Sequence, residues 1–315
     1  MKEGIWMLLV SGGVSAALGA LLLPILRRHG ARQYILGYVR EHRDKSGTPT
    51  MGGLSFVAAV AVCAVLFGLY ADRHTVVAIT FGGACTAVGF LDDFLKFRLR
   101  RNLGLRAWQK VVFQIVIALF AGIYCVQNEL TVLHIPFANR SFDIGIWMLP
   151  LTAFVFLATV NCVNLTDGLD GLAASVSFWY FAAFAALLTM KGGHALAGLC
   201  LLLCGALAGY LILNTYRASV FMGDTGSLGL GGFAAAIAAF SGNLLYVAVI
   251  GIMFVCSGIS VILQVIYYKR TRKRIFLMAP LHHHFQKKGY SESKIAYVYS
   301  LITAVAGLLS LAFVQ

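Results

Sequence analysis

The chain has 315 residues, 60% of them hydrophobic and only 12% charged, with a formal net charge of +13 and a mean hydropathy of +0.83. Soluble domains carry about one charged residue in four, so this composition cannot cover a water-facing surface. The apolar runs are continuous rather than alternating, which excludes a β-barrel and leaves an all-α, polytopic integral membrane protein of one domain, 1–315.

A bilayer crossing takes roughly 20 apolar residues. In chain order the runs predict ten spans, at 5–26, 52–71, 75–91, 111–127, 146–163, 172–190, 194–213, 226–240, 244–267 and 296–314. The opening MKEGIWMLLVSGGVSAALGA has the look of a signal peptide, but Glu3 balances Lys2, and Arg27 and Arg28 follow the apolar run. It is expected to be an uncleaved first span. Between spans four and five, NELTVLHIPFANRSFDIG (128–145) alternates as a small surface hairpin does, with His134 expected to be exposed. Span eight has only about fifteen apolar residues, roughly 22 Å of helix against a core of about 30 Å. Its beginning is expected to be recessed below the headgroups.

Lys and Arg are unevenly shared among the connections. The loops 27–51, 92–110, 214–225 and 268–295 hold 21 of them, and the opposite side only Lys2, Arg73, Arg140 and Lys191. This positive-inside bias places both termini outside and five loops in the cytoplasm. The basic balance then reflects topology and attraction to anionic membrane lipids; it is no evidence for nucleic acid. The run KRTRKR (269–274) fits a helix emerging among headgroups. Seven cysteines, without a CxxC pair, read as small buried hydrophobes.

Five of the twelve acids sit beside cytoplasmic span ends, Asp92 and Asp93 in GFLDDFLK, Asp167 and Asp170 in VNLTDGLDG, and Asp224 in VFMGDTGS. Acids at a membrane edge are costly and mark function; helix capping is the plainer alternative for any one of them. Carboxylates of this kind suit Mg2+ or Mn2+ bound together with substrate phosphate. Glycines 168, 171, 223 and 226 admit close backbone approach, and Lys45, Lys96, Arg106 and Lys110 are cations placed to hold phosphates. In APLHHHFQKKGYSESK (279–294) the three adjacent histidines cannot all point one way, and no HExxH is present. Phosphate binding, hydrogen bonding or proton transfer stands here beside an ordinary solvated loop.

Together GTPTMGG (47–53), LDDFLK (91–96), NCVNLTDGLDGLA (161–173), FMGDTGSLGLGG (221–232) and PLHHHFQKKGYSESK (280–294) resemble the motifs of the phospho-N-acetylmuramoyl-pentapeptide transferases. These belong to the polyprenyl-phosphate N-acetylhexosamine-1-phosphate transferase superfamily. Tyr290 stands where tryptophan is frequent. The resemblance implies transfer of phospho-MurNAc-pentapeptide from UDP-MurNAc-pentapeptide to undecaprenyl phosphate, giving lipid I and UMP. It also implies Mg2+, a homodimer and a site on the cytoplasmic face of the bacterial inner membrane.

By motif, Asp224 would be the metal ligand, while Asp92 and Asp93 would assist the metal and orient or deprotonate the lipid phosphate. Asn161, Asn164, Asp167 and Asn214 would line the nucleotide site. His282, His283 and His284 would act near the phosphates, with His283 catalytic, and Lys45, Lys96 and Lys110 would neutralise them. Direct attack by the lipid phosphate is favoured over an aspartyl-phosphate intermediate. A sister transferase using UDP-GlcNAc is the nearest rival, against which the HHHF segment weighs. A secondary transporter would carry its polar residues near the midplane in repeated halves, and no such repeat is seen.

Overall fold

The computed structural model describes residues 2–29, 47–99, 104–138 and 140–314. Twelve helices are formed among them: α1 (Lys2–His29), α2 (Gly53–Leu66), α3 (Arg73–Leu99), α4 (Ala107–Gln127), α5 (Met148–Thr166), α6 (Leu172–Met190), α7 (His194–Asn214), α8 (Gly223–Phe240), α9 (Tyr246–Ile250), α10 (Ile252–Thr271), α11 (Leu281–Lys287) and α12 (Glu292–Ala312). Eight of these, counting the short turn that leads into α5, are long and apolar enough to cross a membrane. The molecule is a multi-pass helical membrane protein. Every apolar run read from the sequence contains a helix, but three runs end differently from expectation.

The second run closes as a helix at Leu66, and Gly68 then takes a positive φ of 69° ahead of a short turn. The ninth run is divided at Gly251 into α9 and α10, where the backbone carbonyl of Val247 and the rings of Phe254 and Tyr180 crowd the glycine. The third run continues as helix to Leu99, so Asp92, Asp93 and Lys96 lie on the last turns of α3 rather than in a loop. Lysine three and four residues after the two aspartates pairs with both along the helix surface.

Helix α8 occupies the centre. It packs on α2, α3 and α5, and every residue from Thr225 to Phe240 is buried. A helix enclosed by other helices does not meet lipid along its length, and small residues let its neighbours approach closely; this is why its sequence is rich in Gly and Ala rather than Leu. Gly89 of α3 shows how tight the fit is, because a Cβ there would fall on the backbone carbonyl of Asp224. By contrast, α4 turns Val112, Phe113, Val116 and Phe120 outward, an apolar face that suits hydrocarbon.

The 128–145 connection forms the expected hairpin, β1 (Val132–Ile135) paired antiparallel with β2 (Arg140–Asp143), with His134 opposite Ser141. His134 is half-buried rather than exposed, because its N–H donates to the Gly242 carbonyl (3.1 Å) and fixes the hairpin over the turn after α8.

At the other end of the bundle the C-terminal ends of α3, α5 and α7 meet the N-terminal ends of α4, α6, α8 and α12. Three backbone hydrogen bonds lay Pro49–Gly53 alongside Phe221–Met222: Gly52 N–H to Phe221 O (2.9 Å), Gly53 N–H to Met222 O (3.1 Å) and Phe221 N–H to Pro49 O (2.8 Å). The GTPTMGG and GDTGS segments are thereby held side by side. Beyond α10, the Gln264 carbonyl accepts from Ile275 N–H (3.1 Å) and Phe276 N–H (2.9 Å), folding the chain back along the helix. The Ser260 hydroxyl accepts from Leu281 N–H (3.0 Å) and seats α11 on α10.

Candidate active site

Asp92 and Asp93 from α3 and Asp224 from α8 bring their carboxylates to one point, with one oxygen of each within 4.8 Å of the others. Three like charges so close are held only against cations. Lys96 Nζ stands 2.5 Å from Asp92 Oδ2, 3.4 Å from Asp93 Oδ1 and 3.2 Å from Asp224 Oδ2. Lys110 of α4 adds contacts of 2.8 Å to Asp224 Oδ2 and 3.6 Å to Asp92 Oδ1. Three carboxylates against two ammonium groups leave the cluster formally anionic.

The remaining oxygens are anchored by the fold. Leu105 N–H donates to Asp92 Oδ1 (2.8 Å). Thr225 donates twice to Asp93 Oδ2, from its N–H (2.9 Å) and its hydroxyl (2.7 Å), so Asp93 caps the first turn of α8 where the helix dipole favours an anion. Asn164 Nδ2 donates to Asp224 Oδ1 (3.0 Å) and to Ser227 Oγ (2.8 Å). Each acid therefore has one oxygen fixed by a neutral donor and the other turned to the common point.

The donor set fits Mg2+, which binds through a few carboxylates and completes its shell with water and phosphate oxygens. The Lys96 ammonium at the focus of the three acids shows that this point attracts a cation. Among the described residues this is the one group of three or more potential ligands that could hold a metal ion.

The loop 167–171 forms the next wall. Asp167 is partly buried, and burial together with Asp224, Asp93 and Asp170 pushes its carboxyl up to about 8. A carboxyl whose folded pKa lies above its unfolded value favours the fold while protonated. Its contribution is lost as pH rises from about 4, the usual carboxylate range, toward 8. Asp167→Asn, an isostere of the protonated acid, is therefore expected to raise the melting temperature more at pH 8 than at pH 5. Equal effects at the two values, read by thermal unfolding in detergent, would contradict the assignment.

Asp170 serves the loop itself: its Oδ2 accepts from Ala218 N–H (3.0 Å), and its own N–H donates to Glu292 Oε2 (3.0 Å). Asn214 is 3% exposed and its amide is engaged at both ends, accepting from Gly171 N–H (3.1 Å) and donating to Val220 O (2.9 Å). It ties two loops together. Asn161, one turn before Asn164, donates to Gln114 Oε1 (2.7 Å) and joins α5 to α4. Lys45 lies outside the described residues.

The three histidines of α11 part ways. His282 is fully buried and neither ring nitrogen has a hydrogen-bond partner among the described residues; burial and its neighbour His283 hold it well below the ordinary imidazole range, so the ring is neutral. His283 packs on it at 4.4 Å between ring centroids. Both rings face Gly168, where a Cβ would collide with His282 Nε2 and lie 3.0 Å from His283 Nε2. Only glycine lets the imidazoles meet the DG turn. His284 points the other way, accepting Leu277 N–H at Nδ1 (3.1 Å) and holding the preceding loop.

Residues not singled out from the sequence also build the site. Thr225 and Ser227 lie inside the quoted GDTGS motif but carried no role of their own. Glu292 is the one acid in the chain after Asp224, and its isolation was the signal that could have exposed it.

A bundle that gathers acids and lysines at one end of its helices suits a membrane-embedded group transferase, and the profile of glycosyl transferase family 4 matches residues 74–242. A phospho-N-acetylmuramoyl-pentapeptide-transferase signature matches residues 45–57. Phospho-N-acetylmuramoyl-pentapeptide-transferases similar to this chain include that of Clostridium novyi (strain NT), 39% identical over 98% of this chain and 96% of the relative. Those of Heliobacterium modesticaldum (40% identical, 98% of each chain) and Clostridioides difficile (strain 630; 37% identical, 93% of this chain and 92% of the relative) are similar along their length. The chain belongs to the phospho-N-acetylmuramoyl-pentapeptide-transferase family.

Proposed function

We propose that the chain transfers phospho-MurNAc-pentapeptide from UDP-MurNAc-pentapeptide to undecaprenyl phosphate, giving lipid I and UMP. In this reading it is a single-domain, Mg2+-dependent enzyme of the bacterial inner membrane with ten crossings, both termini outside and its site on the cytoplasmic face. The observation that carries it is the convergence of Asp92, Asp93 and Asp224 on Lys96 and Lys110 in a chain of this family. The orientation is supported by the charge asymmetry of the sequence, and Lys96, Arg106 and Lys110 of the basic 92–110 connection lie at the end of the bundle where the acids meet.

An oxygen of the lipid phosphate forms the new P–O bond to the β-phosphorus of the donor, and the bond from that phosphorus to the bridging oxygen breaks with its electrons leaving on UMP. A phosphate monoester has its second pKa near 6, so the lipid phosphate arrives mostly dianionic and needs no base. What it needs is positioning and cancellation of charge. Mg2+, held by Asp92, Asp93 and Asp224, would supply charge neutralisation at the pyrophosphate. Lys110, and Lys96 beside it, neutralise phosphate oxygens from the protein side. Asn164 fixes the direction of the Asp224 carboxylate, and His283, with Nε2 beside Gly168 of the DG turn, would act near the phosphates. An aspartyl-phosphate trapped after incubation with donor alone would replace this one-step path. The homodimer that the resemblance implies belongs to the same reading and is checked by the mass of the detergent-solubilised particle.

The deciding experiment offers purified protein UDP-MurNAc-pentapeptide and UDP-GlcNAc side by side, with undecaprenyl phosphate and Mg2+. UMP release from the first alone is expected. Release from UDP-GlcNAc at a comparable rate would move the chain to the sister activity.

A further inference from the structure

We propose that Glu292 is a positioning residue which, through Gln286, sets the tautomer of His283. The inference rests on the reading that the α11 imidazoles serve the phosphate-transfer site, and it comes from a line of hydrogen bonds that crosses three elements. Glu292, the first residue of α12, is buried at 9% exposure. Its Oε2 accepts from Asp170 N–H (3.0 Å) in the DG loop, and its Oε1 accepts from Gln286 Nε2 (3.4 Å) on α11. Gln286 Oε1 lies 2.9 Å from His283 Nδ1.

The chemistry of the donors leaves one consistent assignment. An ionised carboxylate only accepts, so it draws the Gln286 amide NH2 toward itself and leaves the Gln286 carbonyl for His283. A carbonyl also only accepts, so Nδ1 of His283 must carry the proton. In the neutral ring Nε2 is then the bare nitrogen. Nε2 is the atom that lies against Gly168 in the DG turn. Glu292 thus presents an acceptor on His283 to the site, and does so by the same contact that docks the DG loop on α12. The amide is the switch: it transmits the charge of Glu292 as a choice of which imidazole nitrogen faces the substrate.

The line can be reversed and restored without altering its shape. In Glu292→Gln the new side chain keeps its carbonyl on Asp170 N–H and offers NH2 to Gln286. Gln286 then turns, its NH2 faces His283 Nδ1, and the proton moves to Nε2. Adding Gln286→Glu rebuilds an acceptor between the two donors and returns the proton to Nδ1. The experiment is nitrogen-15 NMR of histidine-labelled full-length protein in detergent at a pH where His283 is neutral, together with turnover of the same samples. His283 should be Nδ1-protonated in the parent, Nε2-protonated in E292Q, and Nδ1-protonated again in the E292Q/Q286E pair. Turnover should fall roughly ten- to hundredfold in E292Q, the size seen when a partner orienting a functional histidine is lost, and recover in the pair. An unchanged tautomer in E292Q, or a double variant no better than the single one, overturns the proposal. A tautomer that switches and reverts while turnover stays constant upholds the hydrogen-bond line and instead removes His283 from the reaction.

Discussion

Asp224→Asn is expected to lower turnover at least about a thousandfold, as loss of a charge that fixes a metal and its bound phosphates does, while the protein stays folded. The asymmetry follows from the contacts. Asparagine keeps an oxygen and a similar volume, and Lys96 retains Asp92 and Asp93 as partners, so the cost to stability should stay near 1–3 kcal/mol, the range for a buried hydrogen bond left imperfect. What asparagine cannot supply is the third negative charge at the point where the acids meet. Lys110 loses its closest anion, the 2.8 Å contact to Asp224 Oδ2, and is freed toward the phosphates it is proposed to hold. Thermal unfolding and UMP release measured on one preparation separate the two effects. Near-normal turnover would remove Asp224 from the metal.

Gly89→Ala should act in the opposite way, through the frame. The added Cβ would occupy the position of the Asp224 carbonyl carbon and oxygen, and backbone in the first turn of a helix packed against α3 cannot yield as a flexible side chain does. Overpacking of this kind costs about 1–3 kcal/mol or more, and α3 and α8 must separate to relieve it. Separation pulls Asp92 and Asp93 away from Asp224, so activity should be lost together with stability. Gly83, one of the α3 glycines with nothing near its missing Cβ, is the control: Gly83→Ala should leave both unchanged. If Gly89→Ala behaved like Gly83→Ala, the close approach of α3 and α8 would be wrong.

The sequence was informative where physics acts along the chain. Apolar length located the helices, and the scarcity of charge made each of Asp92, Asp93, Asp167, Asp170 and Asp224 conspicuous. Lys96, four and three residues from the two acids of LDD, was visible as a cation, yet its partners were not. The sequence offers Lys96 as a phosphate holder but not its place at the focus of three acids, because only the crossing of α3 over α8 brings Asp224 to it. Asn214 illustrates a related limit. An asparagine at the end of a span looks available, and nothing local announces that Gly171 and Val220 use both ends of its amide. Helix α8 illustrates the limit of hydropathy: its short apolar length does not announce that its Gly and Ala content reflects burial among α2, α3 and α5. Long-range pairs such as Glu292 with the DG loop have no periodicity to betray them.

Central to the proposed activity is the claim that Asp92, Asp93 and Asp224 together hold the activating metal. Its most direct test is the Mg2+ dependence of UMP release by the parent, by Asp92→Asn and by Asp93→Asn, after removal of metal with a chelator. The parent should be inactive until Mg2+ is restored, and both variants should need about ten- to hundredfold more Mg2+ for half-maximal rate, the scale on which ligand shells tune metal affinity. Activity that survives the chelator, or three superimposable Mg2+ curves, would contradict it.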